Sequence, residues 1–479
     1  METVSQSSSL LTLAVSLAPI LTLLAALTVF KMKAYQAAVA AFFVALVCAL
    51  FRFRGALPAV EIPQVVLFGV AFALCPICLV ILAALFVYAV TVESGAMEKI
   101  RVMLASISGD RRVLALLIVW GFGNFMEGMA GFGTAVAIPA AILVGVGFDP
   151  LKSVLMCLVA NTVPTAYGSV GVPLMTLAKE SGCNLSSLTW TATWLQLPIA
   201  AAGPFLVLLT LDGFAGLKGM WRILLAADAA FLVPWLMSAR FLGGELPDIL
   251  GGIGTMAALA AVSGRKGGMN VRECARAWMP FILVVALLAV NAFLPPEVKR
   301  YLTPGALILA AGFLGARMQG LGLPRSFKLL FSTARRYFPA FVTICAVLAL
   351  ARVMGEAGMV ALIAEALVAA AGSYYPVVSA ALGGLGGFVT GSGTSSCVLF
   401  GRLQADVAAS IAVSPEILAA ANVMGAGIGK MICPQSIAIG AAAAGIAGSE
   451  SVIFRKALPW FLMIILFASV ITAVAAFSL

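Results

Sequence analysis

The sequence predicts an all-α polytopic membrane protein of about twelve transmembrane helices, with two re-entrant hairpins in inverted structural repeats. Three observations carry that prediction. Of 479 residues, 63% are hydrophobic and only 10% are charged, whereas a soluble domain is about a quarter charged. Apolar runs of about 20 residues, long enough to cross a bilayer as helices, recur from end to end. Two Gly-rich polar stretches, Gly121–Thr134 and Gly383–Ser396, interrupt them, and placing Glu127-Gly128 on Thr390-Gly391 sets them 263 residues apart. Paired interruptions in corresponding halves point to a site built between the halves.

The composition also excludes other classes. The net charge of +10 does not indicate nucleic acid, because the basic residues sit in short clusters between apolar runs. The nine cysteines are scattered. Cys75-Pro-Ile-Cys78 has a metal-like spacing, but with no histidine and no second pair it reads as buried small side chains. No metal or cofactor is expected. The longest polar stretch, around Ser263–Arg276, is too short for a soluble domain. One integral membrane domain over 1–479 is the economical reading, with half-repeats at 10–211 and 278–479 joined by spans and a basic loop at 212–277.

Taken in order, the N-terminus lacks a basic n-region, so 10–30 reads as an uncleaved first span, followed by 35–51. The first repeat opens with span 64–92. Residues 96–108 are expected as an interfacial arm helix, and Gly95 before it corresponds to Gly358 in the second half. Residues 113–146 are too long and too interrupted by glycine for one helix, which predicts a hairpin. Spans 152–178 and 190–211 close the repeat. Spans 219–240 and 246–262 connect to the second half, where 278–294 and 302–316 precede span 337–354, arm 358–371 and a second hairpin at 374–400. Spans 415–446 and 457–478 end the chain. Trp190, Trp194 and Trp460 near span ends read as interface anchors. Asp149 and Glu416, beside Pro150 and Pro415, read as helix caps.

Positive charge favours the inner face. Lys31 and Lys33 place the N-terminus outside, and counting onward puts Arg101, Arg111, Arg112, Lys152, Lys218 and Arg222 inside. Arg265, Lys266, Arg272, Arg276, Arg325, Lys328, Arg335, Arg336, Arg455 and Lys456 also fall inside. Lys179-Glu180 and Glu245–Asp248 fall outside, while Arg52, Arg54 and Arg402 run against the rule. The count closes only if 113–146 leaves from and returns to the inside and 374–400 leaves from and returns to the outside. The halves are then inverted, as alternating access requires.

Irregular backbone at membrane depth survives where it is buried in protein or lines a wet cavity. At the tips, glycines such as Gly391 permit sharp turns and close backbone approach, and a helix starting there favours an anion. Thr394, Ser395 and Ser396 add hydroxyls suited to a substrate with both a carboxylate and an OH, or they cap the hairpin. Each hairpin is followed by a span with an amide, Gly and Pro, Asn161–Gly171 and Asn422–Ser436, so both are expected to unwind. Lys430 lies mid-span, where an ionisable group is a functional candidate by default. It pairs either with a substrate carboxylate or, structurally, with Glu127. Glu127 at the first tip is the candidate proton carrier, since burial favours a protonated carboxyl. Arg352 and Glu356 are read as interfacial, Arg352 being a weaker candidate for charge pairing.

These residues resemble the L-lactate permease family. The matching stretches are Asn124–Thr134, Leu143–Pro150, Ala160–Pro164, Thr390–Ser396 with Leu399–Gly401, and Ile428–Ile437, the last holding Gly-Lys-Met followed by Pro-Gln-Ser. The resemblance implies a secondary carrier of small 2-hydroxy monocarboxylates such as L-lactate, glycolate or D-lactate, coupled to protons, in a bacterial inner membrane. It would place Glu127, Thr134, Asn161, Ser395, Ser396, Lys430 and Gln435 around the substrate. The chain departs from the family pattern at Gly393, commonly Asp or Asn, at Cys397, commonly Asn, and at Ala135, often Pro. It is also compact for the family.

The expected partners are therefore a small carboxylate, a coupling proton and the lipid bilayer, with no nucleic acid. A sodium-coupled carrier of a different carboxylate is the alternative on the same architecture, because Ser, Thr and Asn at the tips with exposed carbonyls suit sodium as well. A membrane enzyme lacks a reactive constellation here, and a channel would not need inverted, unequally charged half-sites. The sequence leaves oligomeric state open.

Overall fold

The computed structural model describes residues 2–30, 32–131, 133–263, 271–294 and 302–478. Lys31, Phe132, Arg265 and Lys266 lie outside the described residues, as does the side chain of Arg272. Among the described residues every regular element is helical. Eight helices are long and apolar enough to cross a bilayer, or up to ten if each of two bent pairs counts as one span. By length and composition the described residues do not reach the expected twelve. Of the expected spans, 246–262 and 302–316 are short helices, Pro247–Val262 and Pro304–Met318, of 16 and 15 residues, whereas 10–30 and 278–294 fall largely within the longer helices Glu2–Thr28 and Val271–Ala292.

Each half of the chain unfolds the same sequence of elements. In the first, Ile62–Glu93 is followed by the arm Ala96–Ala105, by two helices, Arg111–Met129 and Thr134–Gly145, by the bent pair Pro150–Ala160 and Pro164–Ser181, and by Leu185–Asp212. In the second, Leu323–Glu356 is followed by Met359–Ala371, by Tyr375–Thr390 and Gly393–Ser410, by the bent pair Pro415–Lys430 and Pro434–Ala443, and by Glu450–Ser478. The arms begin alike: Gly95 at φ +74° and Gly358 at φ +77° turn the chain through left-handed backbone that glycine adopts without steric cost. Asp149 accepts from Lys152 N at 2.8 Å, the expected cap, whereas Glu416 is not the cap: it lies in the first turn after Ser414, whose Oγ donates to it at 2.7 Å.

Several expected boundaries shift for local reasons. The span expected at 64–92 breaks at Ala73–Cys78, where Cys75 is extended (φ −138°, ψ 113°) just ahead of Pro76, as the residue before proline tends to be. That break leaves Cys75 exposed and Cys78 buried, so the expectation of two buried cysteines fails at Cys75. The span expected at 337–354 begins at Leu323 and runs 34 residues. Its charged first turns carry good helix formers, and apolar periodicity alone understates its length. The second hairpin continues to Ser410, beyond the expected end at 400.

Glycine seams set how closely these elements approach. Along Tyr375–Thr390 and Pro415–Lys430, a Cβ at Gly383, Gly387, Gly425 or Gly429 would collide with a backbone carbonyl of the facing helix, those of Asn422, Ala426, Ala380 and Gly384 respectively. Small residues four apart allow such backbone contact in membrane proteins. The first hairpin packs in the same manner on Pro247–Val262, where a Cβ at Gly252 would stand 2.6 Å from the Gly121 carbonyl oxygen. Beyond that seam, Phe125 packs edge-on against Trp278 and Phe281, each at 5.2 Å between ring centres.

Polar contacts between distant elements join ends that the charge count assigns to one face. Arg325 bonds Glu93, Lys152 pairs with Asp212 at 3.3 Å, Arg112 donates to the Lys218 carbonyl at 2.9 Å, and Arg111 donates to the Gly147 carbonyl at 3.2 Å. All of these are inner ends in that count. Arg352, read as interfacial, pairs with Glu180 at 3.3 Å, and Arg240 lies 5.4 Å over the Trp190 ring. Both of these join outer ends. The Arg111 contact also brings the two ends of the first hairpin together.

Candidate functional site

The two bent pairs are bent by 64° and 44°, and the breaks deliver polar side chains to one point. Asn161 follows the last turn of Pro150–Ala160, and Lys430 is the last residue of Pro415–Lys430. Pro434 disfavours helix in the residue before it, and a cation at a helix C-terminus faces the negative end of its dipole. Lys430 Nζ bonds Glu127 Oε1 at 2.5 Å, and the residues are only 5% and 2% exposed. With its amide oriented by these neighbours, Asn161 donates to Glu127 Oε2 and accepts from Lys430 Nζ, both at 3.2 Å. Glu127 belongs to the first hairpin, and its carboxylate also lies against Gly168, where a Cβ would stand 3.0 Å from Oε1. One carboxylate, one ammonium and one amide from three separate elements thus form a closed triangle.

A cavity of about 960 Å³ reaches this triangle and is lined by both hairpin tips and both breaks. Its charged lining residues are Lys33, Arg336, Lys430 and Glu127, three cations against one carboxylate, which favours an anionic occupant. Three helices start at its wall. Thr134–Gly145 follows Gly133, Gly393–Ser410 follows Ser392, and Pro434–Ala443 follows Cys433. Their positive dipole ends add to the same preference. Lys33 and Arg336 are exposed and stand with Tyr35 and Tyr337 where the cavity opens, on the side that the charge count makes the inner face.

Of the residues singled out from the sequence, Glu127, Gly391, Thr394, Ser395, Lys430 and Gln435 line the cavity. Asn161 braces the charge pair from behind. Thr134 and Ser396 are not lining residues: Thr134 Oγ1 donates to the Gly131 carbonyl at 2.8 Å, and Ser396 Oγ to the Gly383 carbonyl at 3.0 Å. Both hydroxyls close their own hairpins. Gly393 lines the cavity, and its lack of a side chain has a visible reason. A Cβ there would stand 2.8 Å from Thr165 Cγ2, so Thr165 of the first break fills that space. Cys397 and Ala135 stay outside the cavity.

The sequence reading missed Thr165, Ser169, Thr390 and Ser436, which also line the wall. Ser169 and Val170 adopt left-handed backbone at φ 47° and 60°, a genuine outlier for a β-branched residue. Strain of this kind gathers at functional sites, and here the Ser169 hydroxyl donates to the Ala130 carbonyl of the first tip at 2.9 Å. The only sequence signal was the Gly168-Ser-Val-Gly171 run, which announces a break without revealing its hand.

The family model described as L-lactate permease matches residues 12–307 and 296–479. The chain is 34% identical to an L-lactate permease of Streptococcus iniae, covering 84% of this chain and 92% of that protein. It is 32% identical to an L-lactate permease of Bacillus subtilis (97% and 95% covered) and 33% identical to the glycolate permease GlcA of Escherichia coli (95% and 94%). Among solved structures it resembles that of Neisseria gonorrhoeae MtrF, described with a class of antimetabolite efflux pumps. The TM-score is 0.50 at 14% identity, with 88% of this chain and 86% of that one covered. That likeness concerns the helical fold alone.

Proposed function

The chain belongs to the L-lactate permease family, and from that premise we propose that it takes up a small 2-hydroxy monocarboxylate, L-lactate or glycolate, by proton symport with alternating access. As a member of that family it is a multi-pass membrane transporter and not an enzyme. The observation that carries the coupling is the buried Glu127–Lys430 pair facing an anion-attracting cavity. Substrate and Glu127 are two carboxylates that compete for one ammonium.

The competition supplies the stoichiometry. If substrate took Lys430 while Glu127 stayed ionised, an unpaired carboxylate would remain buried, and breaking a buried pair in that way costs about 3 kcal/mol or more. That is about two orders of magnitude in affinity. A proton on Glu127 removes the penalty, because the neutral acid no longer needs the cation. Lys430 then turns to the substrate carboxylate, while Ser395, Thr394 and Gln435 are in reach of its hydroxyl. Substrate and proton therefore stabilise the same loaded state, which is what coupling requires.

In this reading the halves 10–211 and 278–479 are inverted repeats whose hairpins approach the site from opposite faces. The matched order of elements supports it, and so does the bond joining the ends of the first hairpin. The cavity, opening beside Lys33 and Arg336, then belongs to the inward-facing state. The test is uptake of labelled L-lactate into proteoliposomes with a proton or a sodium gradient imposed separately. Accumulation driven by the proton gradient and competed by glycolate supports the proposal. Accumulation driven by sodium alone removes Glu127 from its role.

A further inference from the structure

One buried carboxyl close to the site has no place in the scheme so far. Asp248 sits in the first turn of Pro247–Val262 and is 1% exposed. Its Oδ1 accepts from Trp235 Nε1 at 3.1 Å, while its Oδ2 is buried without a hydrogen-bond partner. Among the described residues it forms no ion pair. It packs against the hairpin tip, since a Cβ on Gly128 would stand 3.1 Å from Asp248 Cβ, and Gly128 is the residue after Glu127. The titratable groups that bear on it are Glu127 from the hairpin and Tyr167 from the first break. Tyr167 stacks edge-on against Trp235 at 5.5 Å and shares a hydrogen bond of 2.7 Å with Thr193.

Position gives this carboxyl a direction. Asp248 does not line the cavity. It follows directly on the loop around Glu245, which the charge distribution assigns to the outer face, whereas the cavity opens beside Lys33 and Arg336 on the inner one. Asp248 therefore lies between Glu127 and the outside. Thr189 and Thr193 continue a buried polar file toward that face, with Thr189 Oγ1 3.3 Å from where a Cβ of Gly244 would lie. Burying an unpaired charge is costly, so a proton on Asp248 is part of the proposal that follows.

We infer that Asp248 relays the coupling proton from the external side to Glu127, an inference that rests on the proton-symport reading above. In the transfer the O–H bond at Asp248 Oδ2 breaks and an O–H bond forms on the Glu127 carboxylate. The carboxylate left at Asp248 takes a proton from an external hydronium ion, which becomes water, so charge and protons balance. Asp248 positions a proton and does not touch substrate.

The variant Asp248→Asn keeps an acceptor for Trp235 and removes the transferable proton. The test compares two assays on the same proteoliposomes. One is accumulation of labelled L-lactate under an imposed proton gradient. The other is counterflow, the exchange of labelled for unlabelled L-lactate at equal pH, in which the loaded carrier reorients without surrendering its proton. The relay predicts at least a tenfold loss of gradient-driven accumulation with counterflow within about twofold of the unmodified protein. A merely structural role would depress both together, and that outcome overturns the relay. Full activity in both assays overturns it as well. Failure of the unmodified protein to respond to the proton gradient would instead remove the symport reading itself.

Discussion

Lys430 and Glu127 act as one unit, and single substitutions in a unit are not interchangeable. Lys430→Ala removes the only cation among the described residues at the buried end of the cavity. Uptake is expected to fall by two orders of magnitude or more while the protein still inserts, because the Glu127 left behind can take up a proton. Uptake assays beside a membrane-insertion control decide it, and normal uptake would make Lys430 structural. Two adjacent serines offer a finer comparison. Ser395 lines the cavity, whereas the Ser396 hydroxyl is committed to the Gly383 carbonyl. Ser395→Ala should raise KM by up to about tenfold, the worth of one hydrogen bond. Ser396→Ala should leave KM alone and cost about 1 kcal/mol of stability, read as a lower Tm.

At the scale of elements, both hairpins and both breaks were legible because glycine, proline and amides interrupt otherwise apolar sequence. The details were not, because they depend on partners remote in the chain. Thr134 and Ser396 carry the right chemistry for a substrate, yet backbone carbonyls within their own hairpins claim their hydroxyls. Nor does sequence alone show that Asn161 and Lys430 meet: Asn161 follows the 11-residue helix Pro150–Ala160, whereas Lys430 ends the 16-residue helix Pro415–Lys430. Gly425→Ala would drive a methyl into the Ala380 carbonyl and should destabilise the fold by about 1–3 kcal/mol. Gly355→Ala, with open space around it, should be neutral or slightly stabilising. Thermal unfolding of the two purified variants separates the outcomes.

For the whole molecule, the charge distribution predicts an orientation, and with it the proposed inward-facing state of the cavity. A cysteine at Thr343, which lines the cavity, in a background free of the nine native cysteines, should react with a membrane-impermeant maleimide added from the cytoplasmic side. Reaction from the external side alone would reverse either the orientation or the assigned state. The number of spans was the least legible property, because helices such as Pro247–Val262 and Pro304–Met318 are apolar but too short to be told from buried core helices by hydropathy. The family was the most legible property, because the matching motifs are specific, and Glu127, Asn161 and Lys430, which meet at the charge pair, lie inside them.

If substrate and Glu127 compete for Lys430 and a proton settles the competition, binding L-lactate takes up a proton. Calorimetric titration of the purified protein with L-lactate in buffers of different ionisation enthalpy counts the protons taken up. About one proton per L-lactate bound is expected, and none in Glu127→Gln. Binding of L-lactate by the unmodified protein without proton uptake would rule the competition out.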